Sequence, residues 1–92
     1  MFYDKYINEE EKELVTENYY AVLNVIDNEN ALKIIAILEN NGCNFVNDLI
    51  TNYMEIFMLK PYIIETKLKI LKNELGNSYM NVIESNLNLL VE

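Results

Sequence analysis

A chain of 92 residues has room for one small domain, and at 51% apolar and 24% charged it carries too many core-forming side chains to be disordered. Fifteen Asp and Glu against seven Lys give a net charge of −8, a field that repels nucleic acid and acidic membranes and favours basic partner surfaces. With no His or Arg in the chain, acid–base chemistry would have to rest on carboxylates, Lys, Tyr and one Cys.

Residues 1–8 open with Phe2, Tyr3 and Tyr6, an aromatic segment expected to cover one end of the core. Asn8 is a good N-cap, and Glu9, Glu10 and Glu11 follow it where a helix dipole favours anions. A helix is predicted over 9–26, because Leu14, Val15, Tyr19, Val22, Leu23 and Ile26 recur at helical spacing. Asp27 to Asn30 interrupt it and cap a second helix over 28–41. That helix is apolar on nearly all sides, as a helix between neighbours should be. Gly42 stands where a glycine ends a helix. Asn44 is expected to cap a third helix over 44–59. Pro61 suits a first helical position and opens a fourth over 61–75, which Gly76 ends. Asn77 or Ser78 caps a fifth over 78–91. The connections are short, and short connections set helices side by side.

The chain repeats itself at a spacing of 34 residues. Asn18-Tyr19-Tyr20-Ala21-Val22-Leu23 aligns with Asn52-Tyr53-Met54-Glu55-Ile56-Phe57 and with Asn86-Leu87-Asn88-Leu89-Leu90-Val91. The same offset pairs Ile34 with Leu68, Gly42 with Gly76, Phe45 with Tyr79 and Leu49 with Ile83. A fixed period of this size marks stacked helical units that bury their apolar faces against each other. The first helix then stands as the second half of a unit. The fold class expected is all-α, with about five helices, either as stacked antiparallel hairpins of period 34 or as a compact bundle.

The stretch from Leu49 to Gly76, with Pro61 at its turn and Leu75-Gly76 at its end, resembles a repeat of the mTERF (mitochondrial transcription termination factor) family. The resemblance spans roughly residues 14–91 in the 34-residue register. It implies an architecture of stacked helical hairpins. It does not carry nucleic-acid binding to this chain, which has no Arg and is short and acidic.

Chemistry is sparse. Cys43 is the sole cysteine, so neither an intramolecular disulfide nor a Cys-based zinc site can form. Glu10, Glu13 and Glu17 share one helix face, but the His that completes di-metal bundles is missing. No catalytic residue, metal or cofactor is assigned. The start of the chain lacks a signal-peptide pattern, and no stretch nears the ~20 apolar residues of a membrane span. A cytoplasmic protein without membrane contact is expected.

The charge is uneven. Residues 1–46 hold nine acids and three Lys, a net −6, whereas residues 47–92 hold six acids and four Lys, a net −2. The leading expectation is a small interaction module, an inhibitor or adaptor. It would engage a basic protein surface through Glu9, Glu10, Glu13 and Glu17, with Tyr20 and Tyr62 as exposed aromatic contacts. Phage anti-defence and immunity-type inhibitors of nucleic-acid-binding proteins are of this general kind. The alternative is a structural module that forms a homodimer through the apolar C-terminal residues Leu87, Leu90 and Val91. Direct nucleic-acid binding through the Lys60–Lys72 helix is a distant third.

Overall fold

The computed structural model describes residues 1–91; among them it holds helices and turns but no strand, an all-α fold. Helix α1 (Glu9–Asn18) begins at Asn8, whose Oδ1 accepts from the Glu11 backbone N–H at 2.8 Å. The Glu11 carboxylate accepts from the Asn8 N–H at 3.0 Å, which completes a reciprocal cap. Helix α2 is a single turn (Tyr20–Leu23). Helix α3 (Asn28–Asn40) is capped by Asp27, which accepts from the N–H groups of Glu29 and Asn30. Helix α4 (Val46–Asn52) is followed by a 3-10 turn over Met54–Met58. Helix α5 (Pro61–Leu75) has the bounds the sequence predicts, with Pro61 at its start and Gly76 at its end. A 3-10 turn (Gly76–Ser78) leads into α6 (Tyr79–Ser85), and a last one spans Leu87–Leu90.

Three predicted helices are therefore broken. The helix expected over 9–26 bends at Tyr19 (φ −123°, ψ 29°) and stops at Leu23. The helix expected over 44–59 starts at Val46 and breaks at Tyr53 (φ −140°, ψ 48°). The one expected over 78–91 breaks at Asn86 (φ −147°, ψ 83°). No Gly or Pro sits at any of these points, so the cause is tertiary. Each bend turns the next short segment inward, where Met54, Ile56, Phe57 and Leu90 are buried and Val22, Leu23 and Ile26 pack on the core. A straight helix would carry half of those side chains into solvent. Asn44 caps nothing: Phe45 precedes α4, with no side-chain cap, and Ser78 likewise makes no cap bond to α6.

The long helices α3 and α5 pack together, and α5 also meets α6. Near the start of α3, Asn30 reaches the carbonyls of Phe57 and Leu59. Near its end, Ile37 and Asn41 share a groove with Glu65 and Lys69. Residue numbers climb together along the two helices, so α3 and α5 run in the same sense. Helix α4 sits on α1, and the Met54–Met58 turn packs on α2 and α3. Gly42 (φ 90°) and Gly76 (φ 75°), 34 residues apart, both take up backbone angles that other residues rarely adopt. The order long helix, glycine, short helix, 3-10 turn thus occurs twice.

The N-terminal segment closes the core as expected from its aromatics. Phe2, Tyr3 and Ile7 are buried, and the Phe2 ring lies 5.3 Å from that of Phe57. The Tyr6 hydroxyl donates to Glu39 at 3.2 Å. Side-chain hydrogen bonds tie successive units. Tyr79 donates to the Asn41 side chain at 2.8 Å, and Tyr53 to Asn88 at 2.8 Å.

Asn30 is the most exacting of these ties, because its amide donates to Leu59 O at 2.8 Å and to Phe57 O at 3.4 Å in a half-buried position. Removing one partner of a shielded pair exposes the desolvation cost of the group left behind. Asn30→Ala is expected to destabilise by about 1–3 kcal/mol. Urea unfolding checks this, and an unchanged midpoint would mean that water replaces the amide at both carbonyls.

Candidate interaction surface

The acidic face of α1 is built by the cap at Asn8. That cap fixes the helix start, so Glu9, Glu10, Glu13 and Glu17 fall on the outside while Val15, 1% exposed, points inward. All four carboxylates are exposed. The one cation among them, Lys12, is held by Asp4 at 3.4 Å and Glu9 at 3.3 Å, so it offsets Asp4 and Glu9 more than Glu10, Glu13 and Glu17. Glu9, Lys12, Glu13, Thr16 and Glu17 line an open groove along the helix. The groove offers acceptors to a basic surface but no enclosed space for a small molecule.

Leu14, which helical spacing places inside, is 57% exposed. It lies between Glu10 and Glu17 and gives the face an apolar centre. Tyr20, at 67% exposure, stands just beyond the end of α1. Tyr62, at 63%, is exposed as well but belongs elsewhere. It lies on α5 in a second groove with Ile63, Thr66, Lys67 and Ile70. The main packing partners of α1 are α2 and α4, and those of α5 are α3 and α6. Tyr20, on α2, is not among the residues that line the Tyr62 groove.

The C-terminal residues expected to mediate self-association are mostly internal. Leu90 is fully buried and Leu87 packs against the core, which leaves only Val91 exposed, at 38%. The break at Asn86 is the reason, since it folds the Leu87–Leu90 turn onto α5 and α6. Leu90 cannot meet a partner without unfolding that turn. Sequence reasoning missed the α5 groove, although its signal was present: Tyr62, Ile63, Thr66, Lys67 and Ile70 follow helical spacing on the side opposite the buried Ile64, Leu68 and Leu71.

Cys43 is 6% exposed. Burial pushes its thiol up from 9.0 to about 11, opposed by a backbone hydrogen bond from Phe45 and reinforced by the nearby carboxylates of Glu39, Glu84 and Asp48. The thiolate is the reactive form, so native Cys43 is expected to label with a disulfide reagent at pH 8 far more slowly than in urea. The raised value fixes the sign of the stability effect. The protonated thiol is favoured in the folded state, so its contribution is complete below pH 9 and is lost as pH rises through about 11. Tyr6 and Tyr19, raised first by burial and then by Glu39 and Glu55 respectively, act in the same direction. Unfolding midpoints measured from pH 8 to 11 should fall, and Cys43→Ala should flatten the first part of that decline.

Among the described residues no three His, Cys, Asp or Glu side chains gather as metal ligands, and no helix is long and apolar enough to cross a membrane. Comparison with protein-family models, with characterised proteins and with solved structures gives no match.

Proposed function

We propose that this chain is a small acidic interaction module that acts by contact, occupying a basic surface on a partner protein as an inhibitor or adaptor. The observation that carries the reading is the outer face of α1. It presents Glu10, Glu13 and Glu17 in a row, all exposed, around the exposed Leu14. Lys12, the neighbouring cation, is engaged with Asp4 and Glu9. Opposite charges steer encounter and set orientation, while an apolar centre supplies contact that survives desolvation. Tyr20 extends the face, and tyrosine is common in such contacts. The scaffold reading is a short helical-repeat stack of the mTERF-like kind. It is supported by the breaks at Tyr19 and Tyr53 and by the glycines at 42 and 76, each pair 34 residues apart.

The test is affinity capture from a lysate of the source cells on the tagged chain, with nuclease present. A basic protein should be retained at low salt, lost as salt rises, and lost from a chain with the α1 carboxylates reversed. Equal retention by the reversed chain would overturn the reading, and loss on nuclease treatment would move the search to nucleic acid.

A further inference from the structure

The pair Asn41-Gly42 closes α3, and it is the one place in the chain where an asparagine precedes a glycine. That order is chemically labile in an open chain. Glycine has no Cβ to shield its backbone nitrogen, so this nitrogen can give up its proton to water and attack the asparagine side chain. A bond forms between Gly42 N and Asn41 Cγ, the Cγ–Nδ2 bond breaks, and Nδ2 leaves as ammonia with the proton returned through water. Water then opens the five-membered imide at either carbonyl. The products are an aspartate, or an isoaspartate in which the backbone runs through the side chain. Water is the sole co-reactant, and no oxidation or reduction takes place.

The fold holds the reacting atoms apart. Asn41 sits at φ −94° and ψ 8°. A ψ near zero sets the Gly42 nitrogen beside the Asn41 nitrogen and away from Cβ, whereas ring closure needs it on the Cβ side. The Gly42 N–H donates to Glu39 O at 3.0 Å, which keeps its proton in place. Asn41 Nδ2 donates to Ile37 O at 2.8 Å, and Oδ1 accepts from the Tyr79 hydroxyl at 2.8 Å. The same hydroxyl lies 3.1 Å from Asn41 O. Asn41 is half-buried and Tyr79 is 7% exposed, so these bonds are sheltered from competing water. Gly42 is exposed, and a groove lined by Ile37, Asn40, Asn41, Glu65 and Lys69 brings solvent to the spot. Water is at hand, and geometry withholds the reaction. The matching turn at Leu75-Gly76 has the same kind of positive φ but no side-chain amide to lose.

We propose that Asn41 is a deamidation site guarded by Tyr79, so that its modification records each opening of the junction between α3 and α6. Local opening of this kind precedes global unfolding in many folds. The product does not close again as the native chain does. An aspartate at 41 has no donor for Ile37 O and sets a carboxylate against it. An isoaspartate lengthens the backbone by one carbon just before Gly42, whose φ of 90° makes the turn towards α4. The change is therefore one-way, and the modified chain opens more readily than the native one. None of this rests on the acidic face of α1.

The test follows deamidation of the pure chain at mildly alkaline pH, folded and in guanidinium chloride, with each asparagine read by peptide mass spectrometry. In denaturant Asn41 should react ahead of every other asparagine. In the folded chain it should react at least about tenfold more slowly, since only the opened fraction is reactive. Tyr79→Phe, shown to be folded by circular dichroism, should speed the reaction at Asn41 several-fold and leave the exposed Asn77, which precedes Ser78, at its wild-type rate. Asn30→Ala is the control, because it loosens the fold at the opposite end of α3. It should leave Asn41 protected; equal acceleration by Asn30→Ala would mean that Asn41 is exposed by unfolding of the whole chain and would overturn the role of Tyr79. An Asn41 that reacts as fast folded as denatured, or one that Tyr79→Phe leaves unchanged, overturns the guard. An Asn41 no faster than its neighbours in denaturant removes the site altogether. Should Tyr79→Phe fail to fold, Asn41→Asp reproduces one product directly. Its denaturant midpoint should fall below that of the wild type, and an equal midpoint would show that the amide holds nothing closed.

Discussion

Phe57→Ala is expected to destabilise the protein by about 3–5 kcal/mol, the usual range for emptying a buried aromatic site. Phe57 is fully buried near the end of the Met54–Met58 turn. Three parts of the chain converge there. The turn packs on α2 and α3, and the Phe2 ring closes over it at 5.3 Å. The site cannot collapse easily, because the Phe57 and Leu59 carbonyls beside it are pinned by Asn30. A domain of this size has only about 5–15 kcal/mol in total and buries a modest share of its surface. The variant is therefore expected to be partly unfolded at 37 °C, which circular dichroism in urea would show as a large fall in midpoint. Phe2→Ala should produce a smaller loss in the same direction, because Phe2 closes the site from one side only. A Phe57→Ala protein with a wild-type midpoint would mean that the N-terminal segment refills the space.

The length of α5 was legible because its ends carry backbone chemistry: Pro61 fits the first turn without a donor, and Gly76 takes a positive φ. The same holds for the start of α1 at Asn8 and of α3 at Asp27, where a short polar side chain meets free N–H groups. The breaks at Tyr19, Tyr53 and Asn86 were not legible. Each falls at a residue that could continue a helix, and the decision is made by burial of the segment beyond it. Their spacing did leave a trace, since the aligned Asn-Tyr pairs at 18–19 and 52–53 mark the end of α1 and of α4. The site was half legible. The acidic row on α1 comes from composition and spacing. Leu14, read as core, is exposed, and Leu90, read as surface, is buried. Periodicity fixes which residues share a face but not which of two apolar faces turns inward.

Reversing Glu10, Glu13 and Glu17 to Lys together is expected to abolish binding to a basic partner while leaving the fold intact. All three side chains are exposed, and none of them forms the Asn8–Glu11 cap or holds Lys12. The helix loses only the favourable placement of Glu10 near its start, worth about 0.3–1 kcal/mol. At the interface the change is far larger, because like charges set against one another cost several kcal/mol. The expected loss in affinity is about 100-fold or more, at 1.4 kcal/mol for each tenfold. Salt discriminates between the causes. If α1 supplies the contact, added salt should weaken the wild type and leave the reversed chain unaffected or slightly better bound, since screening then relieves repulsion. If the contact lies elsewhere, both chains should respond alike and differ only through net charge, which changes from −8 to −2. Leu14→Ala separates a steering surface from a seated one. A slower association with unchanged dissociation would mark charge steering alone, whereas faster dissociation on losing Leu14 would place that side chain in a desolvated centre of the contact.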